Sequence, residues 1–212
     1  MNFAQTCHPI LSLPKRLILL FSGVVILISI SGCATNNAPS PDVVANIFER
    51  DQAIQEAPFG GDVSSEIVNY TRVAPSVGIA GKLHGDGIVE AKELGFQLVI
   101  DLRNPSEDGV TEERTRASEL SVPYVNIPLE KGPGAWSQVE AIEALLESSD
   151  NYPVLIHCAS ANRAGAVWAL LRTRQGVSPI TAIEEGRAAG MTSRESQVRS
   201  MLGLSPEGRV VK

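Results

Sequence analysis

The sequence predicts a single α/β domain with a central, mostly parallel sheet of about four or five strands flanked by helices. Short β-rich runs alternate with amphipathic segments from about residue 66 onward. These segments are roughly 10 to 15 residues long, as expected of helices that connect parallel strands. The 212 residues are 43% hydrophobic and 5% aromatic, which is enough apolar material for one domain with a proper core.

The first half of this domain is expected to contain three strands and two helices. Apolar residues at helical spacing before Gly95 indicate the first helix, and acids in the first turn favour the second. β-branched residues between turn signals mark the strands. In chain order the segments are a short strand and turn in "YTRVAPSVGIAG", a helix in "GDGIVEAKELGF", a strand in "FQLVIDL", a turn in "RNPSEDG", a helix in "TEERTRASELS" and a strand in "VPYVNIPL".

The second half is expected to place one strand among four helices. The run "PVLIHC" is short and fully apolar, as is typical of a strand buried in a parallel sheet. Arg172 and Arg174 are predicted to form a solvated helix end that suits the helix dipole. The helices are predicted in "GPGAWSQVEAIEALLESSDN", "RAGAVWALLRTRQG", "SPITAIEEGRAAG" and "TSRESQVRSMLG".

The N-terminal segment has the pattern of an export signal. Lys15 and Arg16 precede the apolar run 17–30, which is short for a membrane span and suits a signal peptide. The closing "ISGC" resembles a bacterial lipoprotein signal, in which the cysteine, here Cys33, is lipidated and becomes the first residue. The resemblance implies a membrane-anchored lipoprotein that faces the periplasm, and Ala34 after the cysteine favours the outer membrane.

The predicted signal also determines the expected domain boundaries and the expected number of free cysteines. We expect a signal peptide at 1–32, a tether or linker at 33–65 that begins with the polar "ATNNAPSPD", and the folded domain at 66–212. Cys7 would be removed with the signal and Cys33 would carry lipid. Cys158 would then be the single free thiol, which is either buried and inert or kept for its chemistry.

Several classes of function are disfavoured by what the sequence lacks. The formal net charge is −6, so nucleic acid is not an expected partner. Three histidines without spaced ligand clusters argue against a catalytic metal, and no cofactor is expected. The chain contains neither a G-x-S-x-G elbow nor a G-x-x-x-x-G-K-[ST] loop, which argues against serine hydrolases and nucleotide triphosphatases.

The candidate active site is the stretch "HCASANR". Cys158 ends a buried strand, the chain turns, and a helix begins near Arg163. Amide groups of the turn and of the first helical turn would favour both a thiolate and a bound oxyanion. Arg163 would hold the oxyanion with its planar fork. The substrate-binding residues of the loop are predicted to be Ala159, Ser160, Ala161 and Asn162.

The neighbouring His157 is expected to support this loop from behind. Side chains alternate along a strand, so His157 should lie on the face opposite Cys158 and hold the turn by a hydrogen bond to backbone.

The segment "VLIHCASANRAGAVWAL" resembles the active-site signature of the cysteine-dependent protein tyrosine phosphatase superfamily. The similarity is to the bacterial branch called beta-lactamase-hydrolase-like or dual-specificity-phosphatase-like. It extends over residues 70–176 through "NYTRVAPSVGIAGKL", "ELGFQLVIDLRNPSE" and "SVPYVNIPLE". The resemblance implies a phosphomonoester hydrolase in which Cys158 forms a thiophosphate and Arg163 holds the phosphoryl oxygens.

The signature departs from the usual phosphatase pattern at three places. Four residues rather than five separate Cys158 from Arg163, a length shared with this branch and with rhodanese-type sulfurtransferases. Ala161 stands where the family has glycine, which would cost about 1 kcal/mol if the backbone there has positive φ. Ala164 replaces the Ser or Thr that helps the sulfur to depart, so thiophosphate hydrolysis is expected to be slow.

Two acidic residues are assigned different roles. Glu130 in "IPLEKGPGAW" is either the general acid that protonates the leaving oxygen or a solvated turn residue. Asp101 in "VIDLR" is interpreted as structural, tying the end of its strand to a neighbouring loop together with Arg103.

Three functions therefore remain open at the level of sequence. The first is hydrolysis of a phosphorylated protein or small molecule through Cys158. The second is sulfur transfer, with a persulfide on Cys158 and no need for a general acid. The third is an anion-binding or interaction module with an idle cysteine, which the alanines at 161 and 164 suggest.

Overall fold

A five-stranded sheet forms the centre of the fold. The structure is a computed structural model, and it describes residues 54–205. The strands are β1 (Thr71–Ala74), β2 (Val77–Ala80), β3 (Leu98–Asp101), β4 (Tyr124–Asn126) and β5 (Val154–His157). Their order is β1-β2-β5-β3-β4, with β1 antiparallel to β2 and every other pair parallel. The predicted α/β fold with a mostly parallel sheet is confirmed, and the expected strand and turn at its start is a hairpin.

Within the described residues, six helices flank this sheet. They are α1 (Gly87–Glu93), α2 (Val110–Glu119), α3 (Ala135–Leu146), α4 (Asn162–Arg174), α5 (Pro179–Ala188) and α6 (Glu195–Met201). Short 3₁₀ turns lie at Gly60–Asp62, Gly132–Gly134 and Ser149–Asn151. Each helix falls in a segment where the sequence predicts one. Within residues 54–205, none of them is long and apolar enough to cross a membrane.

The strand β5 lies in the middle of the sheet and divides two apolar cores. It pairs with β2 on one side and β3 on the other, so all four of its residues are buried. Val154 and Ile156 pack into the core formed with α3 and α4, whereas Leu155 packs into the core formed with α1 and α2. The alternation of side chains along β5 therefore sends successive residues to opposite layers.

The helices α4 and α5 approach each other closely through two glycines. A Cβ at Gly165 would lie 2.5 Å from the Met191 nitrogen and 2.6 Å from the Gly186 oxygen. Both obstacles are backbone atoms, which have little freedom to move away. The small residues at this crossing therefore bring the loop after α5 against the N-terminal turn of α4.

The packed domain begins earlier than residue 66. Ala57 is 1% exposed, and its N–H donates to the Pro75 carbonyl at 2.8 Å. The hydroxyl of Ser64 donates to Glu90 at 2.6 Å. The last part of the expected linker thus belongs to the domain, which reaches to Ile54 at least, because its few apolar residues find partners on β1 and α1. The expected signal at 1–32, Cys33 and residues 206–212 lie outside the described residues.

The prediction of a solvated end for α4 is wrong for Arg172. Arg172 is buried and pairs with Glu185 of α5 at 2.6 Å. Arg174 pairs with Glu143 of α3 at 2.7 Å. The side chain of Arg174 stays 35% exposed. Glu185 on the next helix turns Arg172 inward, and a pattern confined to α4 does not show that acid.

Candidate active site

The candidate site lies where β5 gives way to α4. Ala161 adopts a left-handed conformation with φ of 67° and reverses the chain ahead of the helix. The first bond inside α4 runs from the Gly165 N–H to the Ala161 carbonyl at 2.8 Å. The N–H groups of residues 162–164 therefore have no partner inside the helix. The positive φ expected at Ala161 is present, so the loop has the strain that glycine would avoid.

Cys158 lies at the base of this loop. It is 1% exposed and packs in the core that contains α4, and its N–H donates to the Ala80 carbonyl at 3.2 Å. The next two residues, Ala159 and Ser160, are exposed. Ser160 also pairs with Gly81 in an isolated bridge just beyond β2. The loop thus has a buried sulfur at its floor and small, exposed residues at its rim.

Arg163 extends from the first turn of α4 and is fixed by Glu107. Its two terminal nitrogens donate to the two Glu107 oxygens at 2.5 and 2.7 Å, and Nη1 also donates to the Leu102 carbonyl at 3.3 Å. These bonds raise the pKa of Arg163 against the opposing effect of burial, and the adjacent Cys158 raises it further. The same pair lowers the pKa of Glu107. The guanidinium of Arg163 is therefore permanently charged, fixed in orientation and next to Cys158.

Sequence reasoning missed Glu107, although a signal was available. The residue lies in the turn "RNPSEDG" that follows β3. β3 and β5 are parallel neighbours, so the loops after them share one edge of the sheet. An acid in one loop could have been matched with the arginine of the other.

Asn162 has a different side-chain role from the one predicted. Its Oδ1 accepts hydrogen bonds from the Thr192 and Arg194 N–H groups at 2.8 and 3.1 Å, and its Nδ2 donates to the Ser193 hydroxyl at 2.8 Å. The amide is therefore used to bind the loop after α5 rather than a substrate. Only the backbone N–H of Asn162 remains for the predicted role in the cradle.

Arg194, which sequence reasoning did not single out, is brought to the same site. Burial lowers the pKa of Arg194, and the nearby charge of Arg163 lowers it further, whereas Cys158 and Glu107 oppose the shift. No local motif marks this residue. Only the crossing of α4 and α5 places it beside a loop more than thirty residues earlier.

His157 extends to the opposite layer from Cys158. Its ring is fully buried, with Nδ1 3.3 Å from the Gly81 carbonyl and Nε2 3.0 Å from Glu113 of α2. Gly81 is the residue that pairs with Ser160 of the loop. His157 thus contacts the backbone next to the loop rather than the loop itself.

Asp101 belongs to a buried charged network below the site. Arg103 donates to both Asp101 oxygens at 2.9 Å and lies 2.7 Å from Glu113. Burial alone would raise the pKa of Asp101, but the bond from Arg103, the charge of His157 and the 2.6 Å bond from the Tyr124 hydroxyl together lower it. The interpretation of Asp101 and Arg103 as structural agrees with these contacts.

This network contains the residue types of a metal site. Ligand-type atoms of Asp101, Glu113 and His157 all lie within 4.8 Å of one another. The guanidinium of Arg103 already bonds both carboxylates, however. Part of the positive charge that two buried carboxylates require is therefore supplied by Arg103.

Glu130 lies in the loop between β4 and α3, and it is exposed. Its carboxylate lies against Gly134, and its backbone oxygen accepts a bond from Arg194 Nη1 at 3.3 Å. Among the bonds and ion pairs of the described residues, none joins its carboxylate to Cys158 or Arg163. Glu130 is thus near the site through its backbone while its carboxylate points into the 3₁₀ turn Gly132–Gly134.

Residues 69–175 match the family of the beta-lactamase hydrolase-like protein, phosphatase-like domain. The match covers just over half of the chain. This chain belongs to that family. No curated protein matches it.

Solved structures with the same fold include three proteins of low sequence identity. A DUF442 protein from Shewanella putrefaciens CN-32, described as a phosphatase, is 22% identical, with a TM-score of 0.55 over 66% of this chain and 89% of its own. The core catalytic domain of the PP-IP phosphatase SIW14 from S. cerevisiae, in complex with citrate, is 15% identical (TM-score 0.52, 64% and 85%). A variant of P. aeruginosa TpbA in complex with pTyr is 19% identical (TM-score 0.51, 76% and 94%).

Proposed function

We propose that this protein is a cysteine-dependent phosphatase that hydrolyses a phosphomonoester through a thiophosphate on Cys158. The observation that carries the proposal is the position of Arg163. Its guanidinium lies beside the sulfur, at the N-terminus of α4, and is fixed there by both oxygens of Glu107. Nucleophile, fixed cation and helix N–H groups are the parts that phosphoryl transfer requires.

The reaction has two displacement steps. The Cys158 thiolate attacks phosphorus and forms an S–P bond. The bond between phosphorus and the leaving oxygen breaks. Its electron pair stays on that oxygen, which is protonated. Water then attacks phosphorus from the side that the leaving group vacated, the S–P bond breaks, and the thiolate and inorganic phosphate are released. Arg163 and the N–H groups of residues 162–164 stabilise the equatorial oxygens in both steps.

Glu130 is proposed as the acid of the first step. The carboxylates of Glu107 and Asp101 both bond arginines through their two oxygens, so neither is available to reach a leaving oxygen. Glu130 is exposed and lies in a loop with Gly132, whose φ is 71°. The loop must turn its carboxylate from Gly134 toward Cys158 for this role.

The substrate is proposed to be a phosphorylated protein or small molecule. Two proteins of the same fold are recorded with anionic ligands, TpbA with pTyr and SIW14 with citrate. Ala159 and Ser160, which directly follow Cys158, are small and exposed.

Activity on an aryl phosphate tests the proposal. The full chain, purified in mild detergent, should release phosphate, and both Cys158→Ser and Arg163→Ala should reduce kcat/KM at least about a thousandfold. Arg114→Ala, which removes an exposed arginine of α2, serves as the matched control and should retain activity. Thiocyanate formed from thiosulfate and cyanide, without phosphate release, would instead indicate the sulfurtransferase. A folded protein with neither activity would indicate the anion-binding module.

We also propose that the protein is an exported lipoprotein anchored through Cys33, facing the periplasm from the outer membrane. The support is the sequence alone: two basic residues, the apolar run 17–30 and "ISGC". Metabolic labelling with a fatty acid should mark the wild-type chain and not Cys33→Ser. Equal labelling of both, or of neither, would contradict the anchor.

A further inference from the structure

Arg194 differs from the other arginines that are at least partly buried. In the part of the chain that the structure describes, each of the others pairs with a carboxylate: Arg72 with Glu56, Arg103 with Asp101, Arg163 with Glu107, Arg172 with Glu185, Arg174 with Glu143 and Arg199 with Glu195. Arg194 has no such partner among residues 54–205.

The bonds that Arg194 does make leave one edge of its guanidinium open. Its Nη1 donates to the Glu130 carbonyl at 3.3 Å and to Gln197 Oε1 at 2.7 Å, and both acceptors are neutral. Neither Nε nor Nη2 bonds to any described residue. These two nitrogens form the edge with which arginine binds carboxylate or phosphate through two parallel bonds.

The charge of Arg194 is unfavourable where it lies. Burial and the like charge of Arg163 both lower the pKa of Arg194. Glu107 bonds Arg163 and does not bond Arg194. An anion bound beside the two arginines would therefore reduce the repulsion between them.

The position of Arg194 is nevertheless fixed from two sides. The Oδ1 of Asn162 accepts hydrogen bonds from the backbone N–H of Arg194 at 3.1 Å and from that of Thr192 at 2.8 Å. Because Asn162 directly precedes Arg163 on α4, the backbone that carries the second arginine is bound to the turn that carries the first. The bonds to Glu130 and Gln197 then hold the guanidinium itself.

With Glu130 as the proposed proton donor, its contact with Arg194 puts this arginine on the side of the leaving group. In an in-line displacement the leaving oxygen departs opposite Cys158, and its proton donor must lie on that side. Arg194 bonds the backbone of the proposed donor, whereas Arg163 lies beside the sulfur. We propose that Arg194 binds a second acidic group of the substrate, a carboxylate or phosphate on the leaving group. This inference rests on the proposed phosphatase function and narrows its substrate to doubly acidic phosphomonoesters.

Two aryl phosphates that differ in one acidic group test the inference. Phenyl phosphate and a carboxyphenyl phosphate are compared as a ratio of kcat/KM on the full chain. We expect the wild type to prefer the carboxylated substrate at least about tenfold, the size of one charged bidentate contact. Arg194→Gln should remove most of this preference and Arg194→Lys should retain part of it. Arg114→Gln, at an exposed arginine of α2, should leave the preference as in the wild type.

Two outcomes would overturn the inference. An equal loss of kcat/KM for both substrates in Arg194→Gln would place Arg194 on the scissile phosphate. A wild type without preference would exclude the second subsite while leaving the phosphatase proposal intact.

A wild type that hydrolyses neither substrate would reject the phosphatase function itself. The subsite is then decided by calorimetry with inorganic phosphate and pyrophosphate. Tighter binding of pyrophosphate that Arg194→Gln abolishes and Arg114→Gln preserves supports the subsite, and equal changes in both variants overturn it.

Discussion

Glu107 binds the Arg163 guanidinium through both of its oxygens, at 2.5 and 2.7 Å, and so determines how that cation faces Cys158. A carboxylate this close to an arginine that is proposed to bind phosphate has two opposing effects. It orients the guanidinium before substrate arrives, and it offsets part of the positive charge. Arginine has five N–H donors, so two bonds to Glu107 and one to the Leu102 carbonyl leave others for phosphate.

Removing the carboxylate charge should show that orientation is the larger effect. We expect Glu107→Gln to lower kcat/KM about tenfold, or ~1.4 kcal/mol, because Arg163 loses a charged hydrogen-bond partner. Steady-state kinetics on an aryl phosphate measures the change. Glu112→Gln, at an exposed acid of α2, is the control and should have little effect. An increase in kcat/KM for Glu107→Gln would mean that Glu107 mainly competes with the phosphate.

The buried network below the site should be a major source of stability. Arg103→Met leaves the carboxylates of Asp101 and Glu113 buried without their cation, which typically costs about 3–5 kcal/mol. Urea unfolding followed by circular dichroism measures the loss. Arg116→Met removes an exposed pair with Glu119 and should cost no more than about 0.5 kcal/mol. A comparable loss of unfolding free energy in the two variants would show that the buried network contributes no more than an exposed ion pair.

The same network should make the fold sensitive to acid. The pKa of Asp101 is lowered in the folded state, so the folded chain binds fewer protons than the unfolded chain does. Its contribution to stability is therefore complete above the ordinary aspartate pKa of about 3.9 and is lost as the pH falls through the folded value. Urea unfolding at a series of pH values from about 3 to 7 should show this loss.

The variants separate Asp101 from the other acids. In Asp101→Asn the free energy of unfolding should change less with pH in the acid range, although the protein will be less stable at neutral pH. Asp62→Asn, at an exposed aspartate of the turn Gly60–Asp62, should keep the wild-type profile. An unchanged acid limb in Asp101→Asn would assign the sensitivity to another group.

Contact between Gly190 and Ala161 should limit substitution beside the cradle. A Cβ at Gly190 would lie 2.7 Å from the Ala161 Cβ, and the φ of Gly190 is +99°. Gly190→Ala should therefore cost about 2–4 kcal/mol from strain and overpacking together. Gly176→Ala, with φ of +87° and no atom within 4 Å, isolates the strain and should cost about 1 kcal/mol.

A double-mutant cycle identifies the part that comes from the clash. Combining Gly190→Ala with Ala161→Gly removes the opposing methyl, and the free energy of unfolding should recover by about 1–2 kcal/mol relative to additivity. Strict additivity of the two changes would show that the two positions do not interact.

The order of the elements was accessible from sequence because each carries a local signal. The apolar run of β5, the amphipathic spacing of α3 and the chain reversal before α4 all depend on neighbours within a few residues. The proximity of Cys158 and Arg163 was predictable for the same reason, since only four residues separate them.

The missed features depend on contacts between distant segments. Glu107 reaches Arg163 across the edge shared by β3 and β5, and Arg194 arrives through the crossing of α4 and α5. The incorrect expectation for Arg172 has the same origin, because its partner Glu185 lies on the next helix. Single-sequence patterns show which side chains carry charge but not which distant side chain neutralises it.

The bonds of Asn162 have a mechanical consequence for the pair of arginines. Arg163 moves with α4, and the backbone of Arg194 is held by the first residue of that same helix. If α4 shifts during turnover, both cations are displaced by similar amounts, and the spacing between them is conserved. The amide side chain of Asn162 therefore helps to hold the two positive charges at a constant separation.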